Sequence, residues 1–204
     1  MKVSINKIFL SAVLCFFALA SFAKTQEEVL KEFSAWDDNL EYLFIDFDQQ
    51  TSFEDILISS STGQLTKEGQ NLILDTFENG KLIQRAWTDK KIIRIFDPEG
   101  NLITTSDWQT WQQAQTNKAL FDFGNYSQVL KDHKIKNFSE QEEGYLLVLE
   151  GTNEDENENY EIAFLLDEKS FPKQISLQSQ GVKTTTDLKE IKINQDTKNS
   201  ESEK

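Results

Sequence analysis

The sequence predicts an α+β protein built mainly of antiparallel strands, and three observations favour this class. Short segments with strand-like patterns follow one another on short links, and turn signals such as Asn79-Gly80 separate them. The spacing needed for parallel strands joined by helices does not occur. Helical periodicity is confined to the N-terminal region and to one insert near the middle. These features fit a meander, a sandwich or an up-and-down barrel.

Residues 1–23 have the features of a cleaved signal peptide. Lys2 and Lys7 lie just before a short apolar run over residues 8–20. Ser21-Phe22-Ala23 follows this run and places the small residues Ser21 and Ala23 at the cleavage site. Cys15 suggests a lipoprotein signal as the alternative, but the bulky Leu14 precedes it and the apolar run continues beyond it. The sequence therefore predicts export, and in a Gram-negative cell a periplasmic location.

The exported chain, residues 24–204, is strongly acidic. It has 19 basic and 35 acidic residues, a formal charge of −16. Such a surface repels phosphate, so nucleic acid is not an expected partner. One Cys and one His in the whole chain are too few for a Cys/His zinc site or a Cys–His dyad, and no metal or cofactor is expected. The 15 Phe and four Trp residues suffice for a single folded domain over residues 24–194.

The first element of that domain is predicted to be an amphipathic helix. Thr25 and Glu28 have the spacing of a capping box. Four apolar side chains then recur at helical spacing on one face: Val29, Phe33, Trp36 and Leu40. The period next changes to two, with Leu43, Ile45 and Phe47 on one side of a strand.

Turn residues divide most of the remaining chain into strands. The predicted strands cover residues 72–77, 81–87, 91–97, 101–104, 134–139, 145–151, 160–166, 173–180 and 182–193. Residues 106–133 lack turn signals and contain several Trp and Phe residues, which predicts one or two short helices covering a cleft or the end of a barrel. Residues 153–159 are polar and acidic and predict a solvated hairpin tip. Residues 195–204 contain no apolar side chain and predict a disordered tail.

Candidate catalytic residues lack the partners that catalysis needs. His133 is the single histidine, and no nucleophile motif accompanies it. Asp46 and Asp48 share one face of a strand and would suit glycoside chemistry, but a solvent-facing Asp pair looks the same. The acidic run 153–158 lacks the glycine and spaced glutamate of a calcium loop. We therefore expect a non-enzymatic protein whose excess of aromatic residues forms either a packed core or an apolar cavity.

Several short motifs resemble the LolA family of outer-membrane lipoprotein carriers. Phe47-Asp48-Gln49 is similar to the Phe-x-Gln of the family, and Gly63-Gln64-Leu65 resembles its Gly-x-Leu. The stretch Thr88-Asp89-Lys90-Lys91, followed by Ile93, Phe96, Asp97 and Pro98, resembles a Ser-Asp-Gly-Lys and Trp-x-Tyr-x-Pro segment, and residues 171–193 fit the closing strands. The order of signal peptide, helix, strands, helical insert and strands also agrees.

The resemblance implies an incomplete, half-open β-barrel covered by the N-terminal helix and by a lid of short helices. It also implies a monomeric carrier that takes lipoprotein acyl chains from an inner-membrane donor complex to an outer-membrane acceptor. Two alternatives stay open: a relative that binds another lipid or a glycolipid, and an interaction protein without a cavity. The residues expected to line the apolar cavity are Leu43, Ile45, Phe47, Ile73, Ile93, Ile95, Trp108, Trp111, Phe121 and Phe123.

The sequence also departs from the family pattern. Gly69-Gln70 stands where family members usually have Arg or Lys followed by Pro, and in the family that arginine holds the lid closed. Ile73, Asp75 and Arg94 stand where aromatic residues are common. The departures leave open whether a lid gates without the Arg-Pro pair, and they predict a cavity that is narrower, more polar or used for another ligand.

Overall fold

The structure, a computed structural model, describes residues 24–115, 118–153 and 158–194. The predicted signal peptide (1–23) and tail (195–204) lie outside the described residues, as does the centre of the predicted acidic tip at 153–159. Within the described ranges no helix is long and apolar enough to cross a membrane.

The predicted N-terminal helix is confirmed as α1, Gln26–Asp38. Thr25 is the N-cap, and both hydrogen bonds of the capping box with Glu28 are present. Val29 and Phe33 are fully buried on the predicted apolar face. The cap fixes where the helix begins, and the apolar face fixes which side packs against the sheet.

In the described part of the chain, eleven strands form one antiparallel sheet. Their bounds are β1 Tyr42–Phe53, β2 Ile56–Glu68, β3 Asn71–Glu78, β4 Lys81–Thr88, β5 Ile92–Asp97, β6 Leu102–Asp107, β7 Lys134–Gln141, β8 Gly144–Asn153, β9 Glu158–Leu166, β10 Pro172–Ser179 and β11 Val182–Ile193. The spatial order is β6-β5-β4-β3-β2-β1-β11-β10-β9-β8-β7, so β6 and β7 are the two edges. The sheet does not close on itself, which confirms the incomplete barrel.

Turn chemistry explains why most strand boundaries were predictable. Asn79 and Gly80 both have positive φ, as the Asn-Gly hairpin turn between β3 and β4 requires. No strand was predicted over residues 56–62, and the Gly63-Gln64-Leu65 motif lies in the second half of β2. The predicted alternation in β1 ended near Phe47, whereas the strand extends to Phe53. The polar run at residues 59–62 has no apolar alternation, and its strand structure comes from pairing with β1.

The helical insert connects the two edge strands. It comprises α2, Trp108–Gln113, a 3₁₀ helix, Lys118–Asp122, and α3, Tyr126–Asp132. Asp107 caps α2 by accepting a hydrogen bond from the Thr110 N–H at 2.9 Å. The prediction of short helices within 106–133 is confirmed, and the insert and α1 pack on the same face of the sheet, here called the inner face.

Candidate functional site

The inner face is lined by aliphatic side chains from neighbouring strands. Leu43 and Ile45 are fully buried, and Phe47 is 3% exposed. The register aligns one row across five strands: Ile45, Leu65, Leu74, Ala86 and Ile95. Because side chains alternate along a strand, each strand contributes every second residue to this floor.

Phe47 lies across the backbone of β2. It pairs with Gly63, and a Cβ on Gly63 would be 2.2 Å from the Phe47 Cζ. Only glycine therefore leaves room for the Phe47 ring at this position. The two residues are the first members of the Phe-x-Gln and Gly-x-Leu motifs, so the motifs correspond to one packing contact.

Three aromatic rings of the insert form a cluster above the floor. The rings of Trp108 and Trp111 are stacked, with 5.6 Å between their centroids. Phe121 meets them edge-on at 5.9 and 5.1 Å. The space between this aromatic cluster and the floor has a volume of only about 10 Å³ and is lined by Leu72, Leu74, Ala86, Thr88, Ile93, Trp108, Trp111 and Phe121. That volume holds about one water, so the two layers are in contact.

The structure brings together four of the ten residues expected to line a cavity, namely Ile93, Trp108, Trp111 and Phe121. Leu43, Ile45 and Phe47 are buried on the inner face without lining this space, and Ile95 is partly buried beside them. Phe123 lies elsewhere, 5.1 Å from Tyr126 and 6.1 Å from Trp36 between ring centroids.

Ile73 does not contribute to the inner face. It is 42% exposed, whereas its neighbours Leu72 and Leu74 are buried. Leu72 and Leu74 were missed as lining residues, although the sequence carried a signal for them. Asp75 shares a face with Ile73, which marks that face as the outer one.

The departures Ile73, Asp75 and Arg94 therefore do not narrow or polarise the inner space, contrary to expectation. Ile73 and Arg94 both pair with Trp87 on the outer face. Asp75 instead accepts two hydrogen bonds of 2.6 Å from the Arg85 guanidinium. On the outer face the Asp75 carboxylate is paired with Arg85, and Arg94 is exposed to solvent.

A second aromatic cluster fixes α1 to α3 and to the sheet. Phe33 stacks on Tyr126 with 5.1 Å between ring centroids, and both rings contact Phe164 of β9. The Tyr126 hydroxyl donates to the Ala119 carbonyl at 2.9 Å, and the Trp36 Nε1–H donates to the Ser170 carbonyl at 3.0 Å. The paired polar atoms and full burial of Phe33 and Tyr126 indicate a structural core.

Asp37 attaches the insert to α1. Its carboxylate accepts hydrogen bonds of 2.6 Å from the N–H groups of Gly124 and Tyr126. Asn125, the N-cap of α3, forms no side-chain cap, so Asp37 caps that helix from another part of the chain. Asp37 is 1% exposed, and burial raises its pKa to about 6 despite the two donors.

Lys67 adds a second polar contact at the same place. Its Nζ donates to the Leu40 carbonyl at 2.9 Å, and the side chain is buried. Burial lowers the pKa of Lys67. Gly69 has positive φ in the tight turn that follows β2, and its N–H donates to the Glu41 carbonyl at 2.9 Å. Lys67 thus connects the end of β2, just before the Gly69-Gln70 departure, to the segment that follows α1.

The other candidate residues have ordinary structural surroundings. The Nδ1 of His133 lies 2.7 Å from the Val129 carbonyl and must donate to it, so Nε2 accepts from the Tyr160 hydroxyl at 2.8 Å. Asp48 lies exposed on the outer face, 3.5 Å from the Lys189 ammonium. In the described part of the chain no group of three or more His, Cys, Asp or Glu residues could hold a metal ion.

Comparison with known proteins finds similarity in structure and none in sequence. No family model matches the chain, and no curated protein sequence is similar to it. A conserved protein of Thermus thermophilus is 13% identical, with a TM-score of 0.50 over 83% of this chain and 88% of that one. A LolA superfamily protein from Nitrosomonas europaea is 13% identical, with a TM-score of 0.49 over 85% and 95%. Lipoprotein LppX of Mycobacterium tuberculosis is 7% identical, with a TM-score of 0.44 over 81% and 95%. The open antiparallel sheet with helices on one face is the architecture that the sequence resemblance implied, and the chain is similar in fold to the conserved protein of Thermus thermophilus.

Proposed function

We propose that the exported protein is a periplasmic carrier for lipoproteins. It binds their acyl chains between the helical insert and the inner face of the sheet. It receives them from a donor complex in the inner membrane and delivers them, as a monomer, to an acceptor in the outer membrane. No nucleotide or other cofactor takes part.

The contact between the aromatic cluster and the aliphatic floor is the observation that supports this proposal. Apart from Thr88 both layers are apolar, and they belong to separate parts of the chain, the insert and strands β3 to β5. Separating them exposes two apolar surfaces that an acyl chain can cover. Each buried CH₂ of the ligand contributes about 0.8 kcal/mol, which offsets the free energy needed to separate the two layers.

The attachment of the insert also fits a moving lid. Its helices are six, five and seven residues long, too short to be stable alone in water. They hold their position through the two aromatic clusters and the Asp37 contacts. A ligand that replaces the contacts of Trp108, Trp111 and Phe121 can therefore displace α2 while α3 stays attached to α1.

The test is binding of a fluorescent fatty-acid probe, together with native mass spectrometry of protein purified from the periplasm. Wild-type protein should carry a co-purified lipid, or bind the probe and release it when lipoprotein is added. Trp111→Ala removes a partly buried ring of the aromatic cluster and should raise probe affinity, because the indole no longer occupies the space. Trp87→Ala, on the outer face, is the matched control and should bind as wild type does.

A second candidate function is an interaction protein with a packed core. The small volume beneath the aromatic cluster favours it, since a filled space needs no ligand. Under this alternative neither wild type nor Trp111→Ala binds the probe, and no lipid co-purifies. That result would remove the carrier proposal.

A further inference from the structure

Two polar cavities lie on either side of Asp122 in the helical insert. Their volumes are about 320 and 330 Å³, at the lower end of the range for small-molecule sites, about 300–1,000 Å³. Gln112, Asp122 and Asn125 line both. The first cavity, here called the Lys90 pocket, also contains Gln70, Lys90, Trp108 and Phe121.

Several polar groups of the second cavity are already paired within the protein. Tyr160 donates its hydroxyl to His133, and the Lys118 ammonium lies 3.9 Å from the centre of the Tyr160 ring. The Lys90 pocket differs. The side chains of Gln70, Lys90 and Asn125 form no hydrogen bond with any other described residue. Their donors and acceptors therefore remain available to a ligand.

The backbone at Lys90 is fixed in a conformation that does not favour lysine. Lys90 has φ +64°, in the left-handed region that glycine and asparagine adopt at lower cost. The turn is held by the Lys90 N–H, which donates to the Thr88 hydroxyl at 2.9 Å, and by Asp89, which accepts from the Lys91 and Ile92 N–H groups. A lysine kept at a strained position, with its ammonium lining a cavity, is a candidate for ligand binding.

The lining of the Lys90 pocket matches a neutral, hydroxyl-rich ligand. Gln70 and Asn125 each offer an amide donor and an acceptor, Lys90 offers donors, and the Asp122 carboxylate accepts. The Gln112 Nε2 donates to Asp122 Oδ1 at 3.0 Å and orients that carboxylate. Trp108 and Phe121 also line the pocket, but they are 7% and 2% exposed and contribute only a small apolar edge, so the polar side chains dominate its surface.

Charge argues against an anion in the same place. One ammonium, Lys90, and one carboxylate, Asp122, line the pocket, so the two charges offset each other. Burial lowers the pKa of Lys90 and raises that of Asp122 to about 6, so burial disfavours the charged form of each group. The formal charge of −16 on residues 24–204 further repels phosphate.

We infer that the Lys90 pocket binds a saccharide group, either as the headgroup of a glycolipid or as a free sugar. Trp108 and Phe121 line both this pocket and the space beneath the aromatic cluster, so a headgroup bound here is adjacent to the proposed acyl-chain site. The glycolipid arm rests on the proposed function. The free-sugar arm does not rest on the proposed function, because the pocket exists in this structure, in which the insert contacts the floor.

The experiment compares ligands with the same dodecyl chain and different headgroups. Dodecyl maltoside, sucrose monododecanoate and octaethylene glycol dodecyl ether are titrated below their critical micelle concentrations, with tryptophan fluorescence as the readout. At least one sugar-bearing ligand should bind about tenfold more tightly than the ether, the effect expected for one charge-assisted hydrogen bond and its neighbours. Competition by free maltose or sucrose indicates a free-sugar site. Its absence indicates a glycolipid headgroup.

Lys90→Gly is the decisive variant. Glycine relieves the left-handed strain, so the variant should be at least as stable as wild type and yet lose the preference for the sugar ligands. Lys91→Met removes an exposed charge from the next residue and should keep the preference. A structural role for Lys90 would lower stability without changing the preference.

The possible outcomes separate this inference from the proposed function. Equal binding of all three dodecyl ligands supports the acyl-chain site and overturns the saccharide inference. If free sugar binds and none of the three dodecyl ligands does, the result supports the inference and contradicts the carrier proposal. The inference is also overturned if nothing binds, if the preference survives in Lys90→Gly, or if inorganic phosphate displaces the sugar ligand.

Discussion

Replacing Asp37 by Asn should remove a pH dependence from the stability of the protein. Asp37 is buried at the junction of α1 and α3, and burial raises its pKa to about 6 from an ordinary value of 3.8. Asn has a similar shape and keeps one carbonyl oxygen for the Gly124 or Tyr126 N–H, but it does not titrate. The variant should fold, at a cost of about 1–3 kcal/mol for the second N–H donor.

The magnitude follows from the two pKa values. Because the pKa is higher in the folded state, that state binds the Asp37 proton more tightly, and the stabilisation is complete at low pH. It is lost as the pH rises from about 4 through about 6. With a pKa of 3.8 in the unfolded state and about 6 in the folded state, the titration of Asp37 alone makes the wild-type protein about 1.3 kcal/mol more stable at pH 5 than at pH 7.

Urea unfolding at pH 5 and pH 7 measures this contribution as a difference between variants. The gap in the free energy of unfolding between wild type and Asp37→Asn should widen by about 1.3 kcal/mol as the pH falls from 7 to 5. The comparison cancels the titration of the other acidic residues, which both proteins share.

A gap that narrows on acidification would refute the reasoning. It would mean that the Gly124 and Tyr126 N–H groups and the nearby Lys67 stabilise the ionised carboxylate more than burial destabilises it. A constant gap would mean that these effects cancel. Either result would contradict the predicted gain in stability on acidification through Asp37.

Three further predictions concern packing and the chain ends. Gly63→Ala should lower the free energy of unfolding by about 1–3 kcal/mol in urea titrations, because the new methyl overlaps the Phe47 ring; a change below about 0.5 kcal/mol would contradict the contact. Deleting residues 195–204 should leave the melting temperature unchanged, whereas Asn194→Ala should lower it, because Asn194 Oδ1 accepts from two N–H groups at 3.0 Å. N-terminal sequencing of the exported protein should begin at Lys24, and a lipidated or uncleaved start would contradict the signal-peptide assignment.

Local sequence signals were sufficient for most elements. The Thr25 and Glu28 capping box marked the start of α1, and Asn79-Gly80 fixed the register of the β3–β4 hairpin. These signals act over a few residues, so they can be read without knowing the fold. The antiparallel class followed from the short links between strands, which leave no room for a parallel crossover.

The sequence also predicted which side chains belong to the apolar surface, but it did not predict which of them contact one another. Ile93, Trp108, Trp111 and Phe121 were expected in one place and do meet. Phe123, two residues after Phe121, instead joins Tyr126 and Trp36. The 3₁₀ turn rotates these neighbouring rings toward different clusters, and no sequence period encodes that rotation.

By itself the sequence determined the helix, most of the strands, the helical insert and an aromatic surplus, because capping, turn geometry and alternation are local properties of the chain. Tertiary structure alone decided that Ile73 faces outward, that Asp37 caps a helix 89 residues away, and that Lys90 lines a cavity with Gln70 and Asn125. Contacts of this kind depend on where an eleven-stranded sheet bends and which edge the insert crosses. Those features arise from the packing of the whole chain, so no short pattern in the sequence specifies them.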